Sequence, residues 1–180
     1  MKKIVLWWSV VVLLLLAGGA WAADIALTTV GQSPDAVMVK VLLKRLGVEA
    51  VYEPLLKAEA LGAEKVLIAV VGGSTKGLGA AGINAEDEKA RTVSLLEAAK
   101  GKGLHILVMH VGGEGRRGSL SDAFIQTAVP YAEEIILVQG ANADGLFTKL
   151  AGTTPLVEVA SVSAAQGPLG DVLKRWHVMP

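Results

Sequence analysis

The feature that most constrains the fold is an apolar run at 66–71 that ends directly in a glycine-rich segment at 72–82. The run, VLIAVV, contains no polar residue, which is typical of a strand covered on both faces in a parallel sheet. In open α/β sheets the ligand lies beyond the carboxyl ends of such strands. The segment therefore predicts a buried parallel strand whose carboxyl end carries a site.

The same order of apolar run and glycine-rich or polar turn recurs along the chain. Further strands are predicted at 25–30, 48–52, 104–109, 135–138 and 156–159. Helices are predicted between them at 36–46, after Asn84, after Ser121, at 146–150 and at 170–176, with one or two helical turns at 54–61. This alternation favours a parallel sheet with right-handed crossovers. We predict an α/β fold, a Rossmann-like or flavodoxin-like three-layer sandwich with a mainly parallel sheet of five or six strands.

The first 22 residues have the pattern of a secretory signal. Two lysines precede an apolar run at 4–17, and Ala20-Trp21-Ala22 places small residues at a cleavage site. An uncleaved anchor is the alternative, but this run of about 14 residues is shorter than the roughly 20 that span a bilayer. We expect an exported protein, periplasmic or extracellular, with a single α/β domain at 23–180.

Composition excludes several classes of function. Removing residues 1–22 takes away two of the 17 basic residues and none of the 17 acidic ones, so the rest of the chain is slightly acidic. Nucleic-acid binding needs a basic surface, which this balance does not supply. The chain has no cysteine, and its three histidines lack metal-site spacing. We expect no metal, no cofactor, no nucleic-acid partner and, after cleavage, no membrane partner.

Four segments that follow predicted strands combine glycine with polar or charged residues. Parallel strands end at one edge of the sheet, so these segments should converge there. The candidate ligand-binding residues are Gln32, Ser33, Gly72, Gly73, Ser74, Thr75, Lys76, Gly77, His110, Glu114, Arg116, Arg117, Asn142 and Asp144. The amides and hydroxyls of 72–75, with the Lys76 ammonium and an arginine, suit an oxyanion. We predict that the chain binds a small anionic or polar molecule at this edge.

Two other function classes stay open. In a hydrolase or transferase acting on a phosphorylated or acyl substrate, Ser74 or Ser33 would be the nucleophile and His110 the base, although no Gly-x-Ser-x-Gly elbow is present. In an assembly or interaction module, the edge would receive a protein partner. Each candidate also has a structural interpretation, because glycines serve turns, a histidine at a strand end bonds to backbone, and arginines pair with Glu114 or Asp122. Whether the chain is an enzyme stays open.

Several motifs carry a resemblance to known families. The glycine spacing at 73–79 is similar to that of the short-chain dehydrogenases, but it follows the third predicted strand, and the tyrosine and lysine of that family are missing. TVGQSPD at 29–35 with Val39-Lys-Val41, GGSTKGLGAAG at 72–82, GGEGRRG at 112–118 with Ser121-Asp122, and NADGLF at 142–147 resemble a family of uncharacterised exported bacterial proteins, a domain of unknown function. The resemblance spans nearly all of the chain after residue 22 and implies a bacterial exported protein. That family brings no established activity.

Cleavage is expected between Ala22 and Ala23. Removing 22 of 180 residues leaves 158, so the intact mass of protein purified from its own host should correspond to a chain beginning at Ala23. Ala22→Phe replaces the small residue at the cleavage site and should retain the segment. A full-length natural chain recovered from the membrane fraction would indicate the anchor instead.

Overall fold

A parallel sheet of six strands forms the centre of the computed structural model, which describes residues 23–179. The predicted signal segment lies outside the described residues. The strands are β1 Ile25–Val30, β2 Val51–Tyr52, β3 Val66–Val71, β4 His105–His110, β5 Glu134–Val138 and β6 Leu156–Val159. Their order in the sheet is β2-β1-β3-β4-β5-β6, with every neighbouring pair parallel. The α/β prediction is confirmed, and the order is the flavodoxin-like one with a sixth strand added.

Helices cover both faces of this sheet. They are α1 Ala36–Arg45, α2 Thr75–Ala81, α3 Ala85–Gly101, α4 Ser119–Ala128, α5 Leu146–Ala151 and α6 Gln166–Arg175. Buried side chains of α1 and α6 form one core with Val66, Ile68 and Val70 of β3. Those of α3, α4 and α5 form the other core, on the opposite face, with Leu67, Ala69 and Val71. Helices cover both faces of β3, and this explains why every residue of the strand is apolar. Within residues 23–179, no helix combines the length and hydropathy of a membrane span.

The glycine-rich segment after β3 is a helix for most of its length. The Ser74 hydroxyl accepts the amide of Gly77 at 3.0 Å and so caps α2, and Gly82, with φ of +69°, ends it. Leu78 is buried and anchors the helix. No helix is predicted for this segment from the sequence, and one forms because the cap and this apolar contact outweigh the low helix propensity of glycine.

Other elements can be compared with their predicted bounds. The segment at 54–61 contains one 3-10 turn, Ala58–Ala60, which agrees with the one or two helical turns predicted there. Helix α4 begins at Ser119, so Ser121 lies inside it, and the Ser121 hydroxyl accepts the amide of Gly73 at 2.8 Å. Helix α6 begins at Gln166, ahead of the predicted start. These bounds depend on contacts between distant segments, which local patterns do not report.

The crevice between β1 and β3 is the topological switch point of the sheet. The chain leaves β1 for the face of α1 and leaves β3 for the face of α3, so the two connections diverge at the carboxyl edge. The Ser33 amide donates to the Gly72 carbonyl at 3.1 Å, and Gln32 forms an isolated bridge with Gly73. These contacts join the two sides of the crevice at the carboxyl edge.

A buried ion pair from α3 holds the end of β1. The Glu88 carboxylate is 0% exposed, and each of its oxygens accepts a 2.7 Å hydrogen bond from the Arg91 guanidinium. The same carboxylate accepts the Gly31 amide at 2.9 Å and the Gln32 side-chain amide at 3.1 Å. Arg91 also donates to the Thr29 carbonyl at 2.7 Å. The pair therefore fixes the turn that leads from β1 into α1.

Glu88→Ala should lower the free energy of unfolding by about 3–5 kcal/mol, because it leaves the guanidinium of Arg91 buried without a countercharge. Urea denaturation measures this change. Glu86→Ala, in the exposed first turn of the same helix, is the matched control and should cost about 0.5 kcal/mol through the helix dipole. Equal losses in the two variants would contradict the structural role of Glu88.

Candidate functional site

The segments that follow β1, β3, β4 and β5 contact one another at the carboxyl edge. The first two meet through Ser33 and Gly72, as described above. The segment after β4 reaches the first through Arg116, whose Nε lies 3.4 Å from Oδ1 of Asp35. It reaches the segment after β5 through Arg117. The structure thus brings together the four segments that the parallel arrangement predicted to converge.

The backbone amides after β3 are already bonded within the protein. The Gly72 amide donates to the last carbonyl of β1 at 2.8 Å, the Gly73 amide to the Ser121 hydroxyl at 2.8 Å, and the Ser74 amide to the Gly31 carbonyl at 2.8 Å. These three N–H groups join neighbouring segments, so they are not free to form the oxyanion cradle predicted for 72–75.

The glycines at this edge allow backbones to approach closely. Gly31 has φ of +94°, and a Cβ on it would lie 2.7 Å from the Gly72 carbonyl oxygen. A Cβ on Gly73 would lie 2.8 Å from the amide nitrogen of Ser121, and one on Gly77 would overlap the carbonyl oxygen of Gln32. Close packing of the backbone is by itself enough to require glycine at these positions.

His110 lies at the end of β4 with its ring fully buried. Its Nδ1 is 2.9 Å from the Val71 carbonyl oxygen and its Nε2 is 3.1 Å from that of Gly113. Burial, the largest cause, lowers the pKa of His110 below its ordinary value of 6.5, against the opposing effect of the two backbone carbonyls. Both ring nitrogens face backbone carbonyl oxygens, and within residues 23–179 no serine hydroxyl bonds to the ring. The serine–histidine pair of the enzyme alternative is therefore not formed.

Arg117 is held by two carboxylates. Its Nε donates to Asp122 at 2.8 Å, and its terminal nitrogens donate to Asp144 at 3.0 and 2.8 Å and to the carbonyl of Ala141. The hydrogen bond to Asp144, followed by that to Asp122, raises the pKa of Arg117. The guanidinium also lies 5.7 Å from the ring centre of Phe147. Arg117 and Asp144, both predicted to bind a ligand, instead tie the segment after β4 to that after β5.

Of the remaining predicted ligand-binding residues, some have side chains that are hydrogen-bonded within the protein and others have exposed side chains. The Asn142 amide bonds to Thr148 of α5 at 2.6 and 3.2 Å. The Gln32 amide donates to the Pro54 carbonyl at 3.0 Å as well as to the buried ion pair. Thr75 is exposed at the start of α2, and Glu114 is exposed on the 3-10 turn Glu114–Arg116. Asn142 and Gln32 thus have structural roles.

A pocket of about 580 Å³ opens at the carboxyl ends of β1 and β2, beside α2. Five of the predicted ligand-binding residues line it, namely Gln32, Ser33, Ser74, Lys76 and Gly77. The rest of its wall is mostly apolar and comes from Pro34, Val37, Tyr52, Pro54, Ala80 and Ala81, with Thr29. Another pocket, of about 490 Å³, lies between α1 and residues 161–163, and none of the predicted residues lines it. We therefore take the pocket beside α2 as the candidate site.

Sequence reasoning missed Asp35. It is the N-cap residue of α1, and its side chain makes no capping hydrogen bond. The Ser33 hydroxyl accepts the Asp35 amide at 3.3 Å instead. The carboxylate is 3% exposed and lies beside Arg116. Its place after β1 is a signal that could have identified it, because the other candidates were chosen by that rule.

The ion pair of Asp144 predicts a dependence of stability on pH. Its hydrogen bond from Arg117 lowers the pKa of Asp144 from 3.8 to about 2. A depressed carboxyl pKa stabilises the folded state above the unfolded value and loses that effect as pH falls through the folded one. Asp144→Asn should therefore be less stable than the natural chain at neutral pH, and the difference should shrink between about pH 4 and about pH 2. Denaturant titrations across this range measure it, with Asp171→Asn on α6 as the control. A constant difference at all pH values would contradict the assignment.

Comparison with known proteins identifies a family. A family model described as a domain of unknown function, DUF6305, matches residues 22–173, from before β1 into α6. No curated protein and no solved structure matches the chain. The resemblance found from the motifs is therefore confirmed at the level of the family. The chain belongs to the family defined by the domain of unknown function DUF6305.

Proposed function

We propose that this chain is an exported bacterial protein that binds a small anionic molecule in the pocket beside α2. The observation that carries the proposal is the position of this pocket, at the carboxyl edge beside the switch point of the sheet, together with the polar groups that line it. Open α/β sheets bind their ligands in this crevice. A pocket of about 580 Å³ has the size of a small-molecule site.

The polar groups of the pocket are mostly donors. The Ser74 hydroxyl already accepts an amide at 3.0 Å, and the Ser33 hydroxyl accepts one at 3.3 Å, so each keeps its O–H to donate. The Lys76 ammonium is exposed and forms no ion pair among residues 23–179. Two hydroxyl donors and an ammonium favour a ligand with acceptor oxygens and negative charge, such as a carboxylate or a phosphate.

The apolar part of the wall adds a second requirement. Val37, on the first turn of α1, is 48% exposed although it lies in the pocket, and Tyr52 at the end of β2 faces the same space. A ligand that removes these apolar side chains from water gains free energy of binding in proportion to the apolar area buried. The pocket therefore favours a ligand with an apolar body. The proposed ligand therefore combines an anionic group with a compact apolar part.

Titration calorimetry with 4-methylpentanoate, an apolar carboxylate, tests this proposal. Lys76→Ala should weaken binding about tenfold or more, because a hydrogen bond to a charged group contributes about 1.5–3 kcal/mol. The fold should be unaffected, since the side chain is exposed. Lys100→Ala, an exposed lysine in the last turn of α3, is the matched control and should bind as the natural chain does.

Two outcomes would contradict the proposal. One is the absence of binding by the natural chain, and the other is an equal loss of affinity in both lysine variants. Native mass spectrometry of protein purified from its own host supplies a second measurement, which should detect a co-purified small anion.

A further inference from the structure

The carboxylate of Asp35 has an unused acceptor at the centre of the carboxyl edge. Its Oδ2 is buried and has no hydrogen-bond partner within the described part of the chain. Its Oδ1 lies 3.4 Å from Nε of Arg116, which is longer than an ordinary hydrogen bond. Buried polar atoms almost always have a partner, so this carboxylate oxygen is an acceptor that is still open to a donor.

The space around this oxygen is bounded by glycines. A Cβ built on Gly112 would lie 3.0 Å from Oδ2 of Asp35, and one built on Gly72 would lie 3.4 Å from it. The Gly72 position is also 2.9 Å from the Ser33 hydroxyl oxygen. Because Ser33 lines the pocket beside α2, the orphaned oxygen lies close behind the wall of that pocket.

Arg116 covers the carboxylate without a strong bond to it. A Cβ on Gly112 would overlap the Cβ and Cγ atoms of Arg116, so this side chain occupies the space above that glycine. Its side chain is 39% exposed, and its one ionic contact among the described residues is the 3.4 Å approach to Asp35. The guanidinium therefore has no second ionic contact among the described residues, and it lies as a cation beside this carboxylate.

We infer that the ligand carries a hydrogen-bond donor, an ammonium or a hydroxyl, next to its anionic group, and that Oδ2 of Asp35 accepts from this donor. The anionic group then faces Arg116 and Lys76, and the apolar body lies in the pocket beside α2. The ligand class is that of the amino acids and 2-hydroxy acids with apolar side chains. This inference rests on the proposed function, because it assigns a second contact to the same ligand.

A matched ligand series tests the inference on the natural chain. L-Leucine, 2-hydroxy-4-methylpentanoate and 4-methylpentanoate share a carboxylate and an apolar body, and the third lacks the neighbouring donor. At least one donor-bearing ligand should bind about tenfold or more tightly than 4-methylpentanoate in titration calorimetry. Equal affinities for all three would overturn this inference while leaving the proposed function intact. Failure of all three to bind would overturn both.

Asp35→Asn locates the contact. The carboxamide is neutral, so the ratio of the affinity for the donor-bearing ligand to the affinity for 4-methylpentanoate should fall about tenfold. Asp171→Asn, on the exposed side of α6, should leave both affinities unchanged. An unchanged ratio in Asp35→Asn would overturn the assignment. The ligand series needs no variant, so it decides the inference even if this substitution prevents folding.

Discussion

The buried ion pair between Glu88 and Arg91 supports the arrangement of the whole carboxyl edge. Burying two charges is costly, and it is sustained here because the pair also binds backbone groups of β1 and the turn after it. Through the Gly31 amide and the Gln32 side chain, helix α3 controls the direction in which the chain leaves β1. The start of α1 follows from that direction, and so does the crevice between β1 and β3.

The edge built on this support satisfies its own backbone. Amides after β3 bond to the neighbouring segments, and glycines permit the close approach that these bonds require. The amides of 72–74 are thus engaged within the protein, and in the proposed site the contacts to a ligand come mainly from side chains. Such a site distinguishes ligands by the positions of their charges and hydrogen-bonding groups. Hydroxyls donate or accept hydrogen bonds, the ammonium and guanidinium bind anions, and the carboxylate binds donors.

The two adjacent arginines show how neighbouring residues of one type acquire different roles. Arg117 is bound by Asp122 and Asp144 and is largely enclosed, so it ties two segments together. Arg116 is more exposed and touches only the edge of Asp35. A strongly paired guanidinium is a structural element, whereas a weakly paired one beside an orphaned carboxylate oxygen can exchange its partner for a ligand. The proposed ligand contacts therefore involve Arg116, Asp35 and the side chains of the pocket.

Much of this architecture can be predicted from local patterns in the sequence. The unbroken apolar run of β3 specifies a strand covered on both faces, and its alternation with helices specifies a parallel sheet, because these properties depend on residues near one another in the chain. The convergence of polar segments at one edge follows from parallelism alone. The caps at Ser74 and Asn84 are local as well, although the helix that Ser74 begins was not predicted.

Other properties arise only when distant segments meet. The position of β1 between β2 and β3 is set by long-range pairing, so the flavodoxin-like order could not be distinguished from the Rossmann-like one beforehand. The role of His110 depends on one carbonyl of β3 and one of the turn after β4. The different roles of Arg116 and Arg117 depend on which carboxylates the fold brings to each. Burial, pairing and an orphaned acceptor are properties of an environment, and tertiary packing assembles that environment from residues far apart in the chain.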